Sequence, residues 1–269
     1  MAMGFLRREL QAAGAAFQLL TRIPVPASIP FTPELLARST VYYPVVGGVI
    51  GGLVAAAGAL LDGHMPSMPA AVLLLGFWVL LSGGLHVDGL MDTADGVLSH
   101  RSRERMLEIM KDSRVGAMGV LAAIMLLLFK FSLLAAWLDD GKDWLAEAPL
   151  LALGCGLSRL WVVAAMACWP FARADEGMAA LFKDVKPRHA VAAAIVQAAM
   201  SVACLLTIPS ASIGWLAAIA LPAGLAVAAG AALAAWLTRK LGGLTGDTYG
   251  AMAEILEAML LFVIVLQVS

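Results

Sequence analysis

The run HVDGLMDTADGVLSHRSRERMLEIMKDSRVG covers residues 86–116. Read as helix, it sets Asp88, Asp92 and Asp95 at i, i+4 and i+7, within about 60° of one another around the axis. Three carboxylates on one face repel, by about a few tenths of a kcal/mol per pair on an isolated helix and by more where the dielectric is low. A divalent cation offsets that repulsion, and hard carboxylate oxygens suit Mg²⁺ or Mn²⁺ better than softer metals. Gly89 and Gly96 are poor helix formers that let another helix or a phosphate approach closely. Arg101, Arg103, Arg105, Lys111 and Arg114 follow the acids. A cation with Arg and Lys beside it is the usual equipment for holding a diphosphate. Asp112 is a further candidate ligand or base. An ordinary solvated acidic loop would not begin where a hydrophobic span ends, nor keep its acids in register.

A second polar cluster lies in TRKLGGLTGDTYGAMAEILEAML, residues 238–260. Gly242, Gly243, Gly246 and Gly250 punctuate an expected loop with Asp247 at its tip, and Glu254 and Glu257 enter an apolar helix one turn apart. The helix dipole partly favours acids at a helix start, but ionisable residues inside a span are costly and usually face a site. The cluster therefore reads as a second cation or phosphate locus that meets the first across the bundle. Arg159, mid-span in LSRLW, is either a phosphate ligand or the partner of a buried acid, and Lys130 reads as an ion-pair partner for an acid. His86 and His100 have no partner at zinc-ligand spacing and receive no role; nor do His64 and His189.

The elements that must position these residues are membrane helices. The 269-residue chain is 61% hydrophobic and only 14% charged, with a mean hydropathy of +0.88. Soluble domains are nearer a quarter charged, roughly, and one compact core could not hide so many apolar residues. With ~20 apolar residues needed per crossing, seven spans are expected, at about 41–61, 68–86, 117–138, 149–169, 189–208, 212–237 and 250–268. No strand alternation or long repeat is present, and spanning helices satisfy their own backbone groups. The expected class is therefore an all-α, polytopic helical bundle, a single membrane domain over 1–269. Within it, 1–40 form a cytoplasmic or interfacial segment, and 86–116 and 238–258 the two polar segments. The N-terminal stretch places Phe5, Leu6, Leu10, Ala13, Phe17 and Leu20 on one helical face, as in a helix lying at the membrane surface, ended by Pro24 and Pro26. In the first span Gly47, Gly48, Gly51 and Gly52 form two small-xxx-small pairs suited to close helix contact. The tryptophans fall mostly near span ends and read as interfacial anchors, and the three cysteines as small buried hydrophobes.

The net charge of −1 says nothing about partners, but the distribution of Lys and Arg does. They gather in the N-terminal segment (Arg7, Arg8, Arg22, Arg38) and in alternate connections thereafter: 101–114, then Arg173, Lys183, Lys186 and Arg188, then Arg239 and Lys240. The positive-inside rule then puts the N-terminus and both polar segments on the cytoplasmic side and the C-terminus outside.

FQLLTRIPVP, HVDGLMDTADGVLSHRSRERMLEIMKDSRVGAMG and GGLTGDTYGAMAE, in that order, together resemble the cobalamin synthase family of adenosylcobinamide-GDP ribazoletransferases. The resemblance implies a Mg²⁺-dependent, multi-pass enzyme of the bacterial inner membrane with its active site on the cytoplasmic side. It implies that a ribose hydroxyl of α-ribazole, or of its 5′-phosphate, attacks the cobinamide-linked phosphorus of adenosylcobinamide-GDP. GMP leaves and cobalamin or its 5′-phosphate forms. Set against that reaction, Asp88, Asp92 and Asp95 are expected to hold Mg²⁺, with Asp112, Asp247, Glu254 or Glu257 completing the coordination. Asp95 or Asp112 is expected to take the hydroxyl proton. Lys111, Arg114, Arg159 and Arg22 are expected on phosphate oxygens. Membrane lipid is an expected partner and nucleic acid is not; a homo-oligomer or a complex with other enzymes of the cobalamin pathway is compatible with the reading.

Two other classes share part of this pattern. CDP-alcohol phosphotransferases of phospholipid synthesis also set Asp and Gly at helical spacing, but their pattern follows DG with AR, and here Leu90 and Met91 lead to Asp92 and Thr93. A transporter would place its acids near the midplane of repeated halves, whereas these gather at one face.

Overall fold

The computed structural model describes residues 2–139, 144–173, 181–207 and 213–268. Among the described residues the chain is all-helical, with one isolated β-bridge, Phe171 to Leu244, and no strand. In chain order the helices are α1 (Ala2–Leu20), α2 (Pro33–Ser39), α3 (Tyr43–Leu61), α4 (Ser67–Ser82), α5 (Leu85–Val97), α6 (Arg103–Ile109), α7 (Ala117–Asp139), α8 (Trp144–Cys168), α9 (Pro187–Thr207), α10 (Ile213–Leu241) and α11 (Gly246–Val268).

Five stretches among the described residues are long and apolar enough to cross a membrane: 33–61, 117–139, 149–168, 220–241 and 246–267. The pair α4 and α5 makes a sixth if counted as one bent span. Seven were expected; α9, of 21 residues, occupies the expected span at 189–208, whose end lies outside the described residues. Burial separates the spans into two roles. The window in 149–168 is 72% buried and that in 246–267 is 78% buried, so α8 and α11 form the centre. Those in 117–139 and 220–241 are each 28% buried and turn most of their surface outward.

The expected span at 68–86 does not run straight through. It stops at Ser82, and Gly83 (φ 64°) and Gly84 (φ 72°) both take the left-handed conformation that only glycine adopts cheaply. The chain bends by 87° there, and α5 sets off across the bundle rather than along it. The acidic run thus stands on its own helix, separated from the span that precedes it. Next to the bend, Arg22 N–H donates to the Leu81 carbonyl at 2.8 Å. The N-terminal segment is thereby tied to the same end of the bundle.

α1 ends at Leu20, ahead of the expected prolines, where Thr21 Oγ1 donates back to the Phe17 carbonyl. Its Leu6 and Leu10 are exposed while Ala12, Ala15, Ala16 and Leu20 are buried. Glu9 fastens α1 to the next element by accepting from Arg38 Nε at 2.6 Å and from the Tyr42 hydroxyl at 2.7 Å.

The first-span glycines serve an internal contact. A Cβ at Gly51 would stand 2.6 Å from the Leu151 carbonyl oxygen, and Gly47 lies as close against Cys155, so α3 packs its backbone directly on α8. Gly52 faces open space. The expectation for the tryptophans needs correction: Trp78, Trp137, Trp144 and Trp161 are buried, and Trp144 Nε1 donates to the Ala55 carbonyl at 2.6 Å. Large aromatic area is here spent on helix packing rather than on the interface. Of the cysteines, Cys155 is buried, Cys204 half-buried and Cys168 exposed.

The two neighbouring glycines make a matched test. Gly51→Leu should destabilise the detergent-solubilised protein by about 1–3 kcal/mol through overpacking, whereas Gly52→Leu should leave its melting temperature unchanged. Equal melting temperatures for the two variants would contradict the α3–α8 contact.

Candidate active site

The acidic helix α5 meets the start of α11 at a crossing made by two glycines. A Cβ at Gly89 would lie 2.7 Å from the Asp247 carbonyl oxygen, and one at Gly250 would lie 3.2 Å from both Cα and O of His86. Without side chains at these points the backbones touch, and Asp88 and Asp247 come to line one cavity of about 410 Å³. Asp247 is not at a loop tip as expected but in the first turn of α11, where the helix dipole favours a negative charge. Thr245 and Thr248 cap that turn reciprocally: Thr248 Oγ1 accepts from Thr245 N–H at 2.8 Å and Thr245 Oγ1 from Thr248 N–H at 3.3 Å. Thr245 Oγ1 also donates to Asp247 Oδ2 at 3.3 Å, orienting the carboxylate.

Opposite charge reaches the same cavity from two other elements. Lys111 comes from the turn between α6 and α7, and Arg173 from the segment after α8. Arg173 entered the sequence reading only as one of the cations that set the orientation, not as a site residue. It is held by a short two-residue pairing: Ala172 N–H donates to the Leu244 carbonyl and Leu244 N–H to the Pro170 carbonyl, both at 2.8 Å. Gly243 permits this, since a Cβ there would stand 2.7 Å from the Pro170 oxygen. Arg173 Nη2 donates to the Leu107 carbonyl of α6, and its charge acts on Asp247. A lone arginine in a loop carries no periodicity; the one signal available was the GG pair that lets the two segments touch. Leu19, Leu20, Val162 and Met166 give the cavity an apolar side.

Asp92 is half-buried one turn beyond Asp88, and the charges of Asp88, Asp247 and Asp95 all act on it. Among the described residues Asp88, Asp92 and Asp247 make no ion pair. Nor do any three carboxylate, imidazole or thiol groups there stand close enough to ligate one ion by themselves. Mg²⁺ does not require such a cage: it keeps waters and is usually held by one or two carboxylates together with substrate phosphates. Two hard-oxygen donors facing one cavity, with a third behind, fit that pattern.

Other expected site residues are engaged elsewhere. Asp95 accepts from Gly116 N–H at 2.7 Å and Gly119 N–H at 2.8 Å, so both its oxygens close the N-terminal end of α7. Asp112 forms a forked pair with Arg114, at 3.0 Å to Nε and 2.7 Å to Nη2. That side-chain bond, helped by the Arg114 N–H, holds the Asp112 carboxyl down to about 2, which makes it a poor proton acceptor. Arg114 is correspondingly occupied on the surface. Arg22 lies against Gly83 and does not line the cavity.

Glu254, Glu257 and Arg159 are corrected most clearly. Glu257 accepts from Arg159 Nη1 at 2.6 Å through one oxygen and from Lys130 Nζ at 2.7 Å through the other, and Lys130 also donates to Glu254 at 2.6 Å. All four side chains are at most 5% exposed. Lys130 further sits 4.4 Å from the Trp78 ring centroid. Two cations and two anions neutralise one another between α7, α8 and α11. Both oxygens of Glu257 are already paired with buried cations, and Arg159 is a buried acid's partner, the second of the two roles open to it from sequence. The spacing of Glu254 and Glu257 could not reveal this, because the partners lie more than 90 residues away.

The profile of the cobalamin-5-phosphate synthase family matches residues 12–265. The chain belongs to that family. Among similar curated proteins, the adenosylcobinamide-GDP ribazoletransferase of Brevibacillus brevis is 41% identical over 258 residues, 93% of this chain and 96% of the relative. That of Pseudomonas aeruginosa strain UCBPP-PA14 is 39% identical over 266 residues, 97% of this chain and all of the relative. That of Roseiflexus sp. strain RS-1 is 39% identical over 249 residues, 92% and 87%. No solved structure matches the chain significantly. For this family member, then, the matched residues include α5, the cavity and the buried charges alike.

The buried network yields a double-variant test. Lys130→Met alone leaves two glutamates sharing one cation and should cost about 3–5 kcal/mol in unfolding measurements in detergent. Lys130→Met with Glu254→Gln removes one charge of each sign and should recover most of that loss. A single variant as stable as the double would contradict the charge pairing.

Proposed function

We propose that the chain is an adenosylcobinamide-GDP ribazoletransferase: it transfers the cobinamide phosphate of adenosylcobinamide-GDP to α-ribazole or α-ribazole 5′-phosphate, releases GMP and forms adenosylcobalamin or its 5′-phosphate. One observation carries the reading beyond family membership. Two carboxylates without ion-pair partners, Asp88 and Asp247, face the same cavity as Lys111 and Arg173. Such a mixture suits a diphosphate ester and its counter-ion better than a purely cationic or purely acidic site would.

Asp88 and Asp247 would hold Mg²⁺, with Asp92 one turn behind. When bound, the ion supplies neutralisation of diphosphate charge and Lewis-acid polarisation at phosphorus. Lys111 and Arg173 bind the non-bridging phosphate oxygens and steady the departing GMP. The ribose oxygen forms its bond to the cobinamide-linked phosphorus as the bond from that phosphorus to the GMP oxygen breaks. The hydroxyl proton passes to whichever of Asp88, Asp92 and Asp247 the ion leaves free. The apolar side of the cavity accommodates the hydrophobic flank of a large amphiphilic substrate. The positive-inside distribution supports an inner-membrane protein with this cavity on the cytoplasmic side.

Purified protein supplied with adenosylcobinamide-GDP, α-ribazole and Mg²⁺ should release GMP and form cobalamin, both followed by mass, and EDTA should abolish this. Asp88→Asn and Asp247→Asn should each lower turnover by about a hundredfold or more while remaining folded. Asp112→Asn, by contrast, should keep most of it. No product from well-folded wild type with metal present would overturn the reading, and a CDP-alcohol would be the next substrate supplied.

A further inference from the structure

The buried ion network reaches the cavity at His86. Arg159 Nη2 lies 3.3 Å from His86 Nδ1. A guanidinium has donors and no acceptor, so Nδ1 must accept. That leaves the ring hydrogen on Nε2, and the Arg159 contact by itself selects this tautomer. His86 is 5% exposed and lines the cavity, and among the described residues no protein group takes the Nε2 hydrogen. Its backbone runs close to Gly250 of α11, where an added Cβ would stand 3.2 Å from both its Cα and its carbonyl oxygen. Arg159 cannot turn away, because Nη1 is held by Glu257 at 2.6 Å and by Ser158 Oγ at 2.8 Å. The imidazole is therefore fixed from behind and from the side, two residues before Asp88 on the same cavity wall.

We propose that His86 donates a hydrogen bond from Nε2 to a phosphate oxygen of the diphosphate ester bound in the cavity, and that Arg159 is the positioning residue that fixes this donor. For the identity of the ester the proposal rests on the reading above. A donor set in place beforehand costs no reorganisation when charge moves along the diphosphate. It also gives the four-charge network a consequence for the site: Glu257 holds Arg159, Arg159 selects the His86 tautomer, and His86 meets the ligand.

Two substitutions separate donation from packing. The amide of His86→Asn can still take the Arg159 hydrogen bond but stops short of Nε2. The amide nitrogen of His86→Gln reaches the Nε2 position. Binding of inorganic pyrophosphate with Mg²⁺ is measured by calorimetry in detergent, beside the melting temperature and kcat and KM for adenosylcobinamide-GDP. His86→Asn should melt like wild type yet bind pyrophosphate on the order of tenfold more weakly, the size expected for one hydrogen bond to a charged group, and His86→Gln should stay within about threefold of wild type. ¹⁵N-histidine labelling of wild type, which has four histidines, should show a neutral Nε2–H imidazole whose Nε2 signal moves on adding pyrophosphate. Unchanged pyrophosphate binding by His86→Asn, a Gln variant no better than Asn, losses that merely track melting temperature, or histidine signals indifferent to pyrophosphate would each overturn the proposal. The expected binding pattern without cobalamin formation would sink the transferase reading and leave the His86 contact standing. Full turnover by His86→Asn would do the reverse.

Discussion

Lys130 and Arg159 enter the apolar bundle together with Glu254 and Glu257, and none of the four could stay charged there alone. Because each partner comes from a different part of the chain, pairing them fixes how α7, α8 and α11 are rotated about their axes. Apolar packing alone would not do so. Lipid tails are as apolar as the helix faces, so helices in a membrane gain little from hydrophobicity when they choose which side to present. A misrotated α11 would leave two glutamates in hydrocarbon. The network thus sets the register from which Asp247, two turns earlier on α11, is aimed.

On that frame the elements that line the cavity are brought together at glycines. Gly83 and Gly84 turn the chain by 87° and lay α5 across the bundle. Gly89 and Gly250 then let α5 and α11 touch, and Gly243 lets the segment after α8 pair with the loop before α11. Each contact carries a charged residue with it: Asp88 on α5, Asp247 on α11, Arg173 beyond α8. Close backbone approach converts residues remote in sequence into one cavity, and it does so at low cost because glycine needs no room. Gly116 and Gly119 act similarly at the start of α7, where they leave space for Asp95.

The distinction between scaffold and site among the carboxylates follows from their neighbours. Asp95 spends its oxygens on orphan backbone N–H groups at a helix start, and Asp112 on a surface arginine. Glu257 spends both on buried cations. Asp88, Asp92 and Asp247 make no ion pair among the described residues and act on one another, an arrangement unfavourable by itself and suited to receiving positive charge. Membership of the cobalamin-5-phosphate synthase family accords with that arrangement, since phosphoryl transfer asks of a protein chiefly positioning and charge compensation.

Sequence by itself determined the class of fold, the membrane setting and the two polar segments. Hydropathy, the spacing of Asp88, Asp92 and Asp95 and the glycine-rich approach to Asp247 are local properties, legible one turn at a time. The family resemblance was legible for the same reason, because its motifs are contiguous. Tertiary structure alone decided which charges meet. Periodicity places Glu254 and Glu257 on a helix but cannot say that Lys130 and Arg159 wait opposite them, and it placed Asp95 beside Asp92 without showing that α7 would begin against it. Arg173 carries no local signature at all. The physical reason is common to these cases: a charge in an apolar medium takes its role from the nearest opposite charge or hydrogen-bond partner, and in a bundle of long helices that partner is seldom near in sequence.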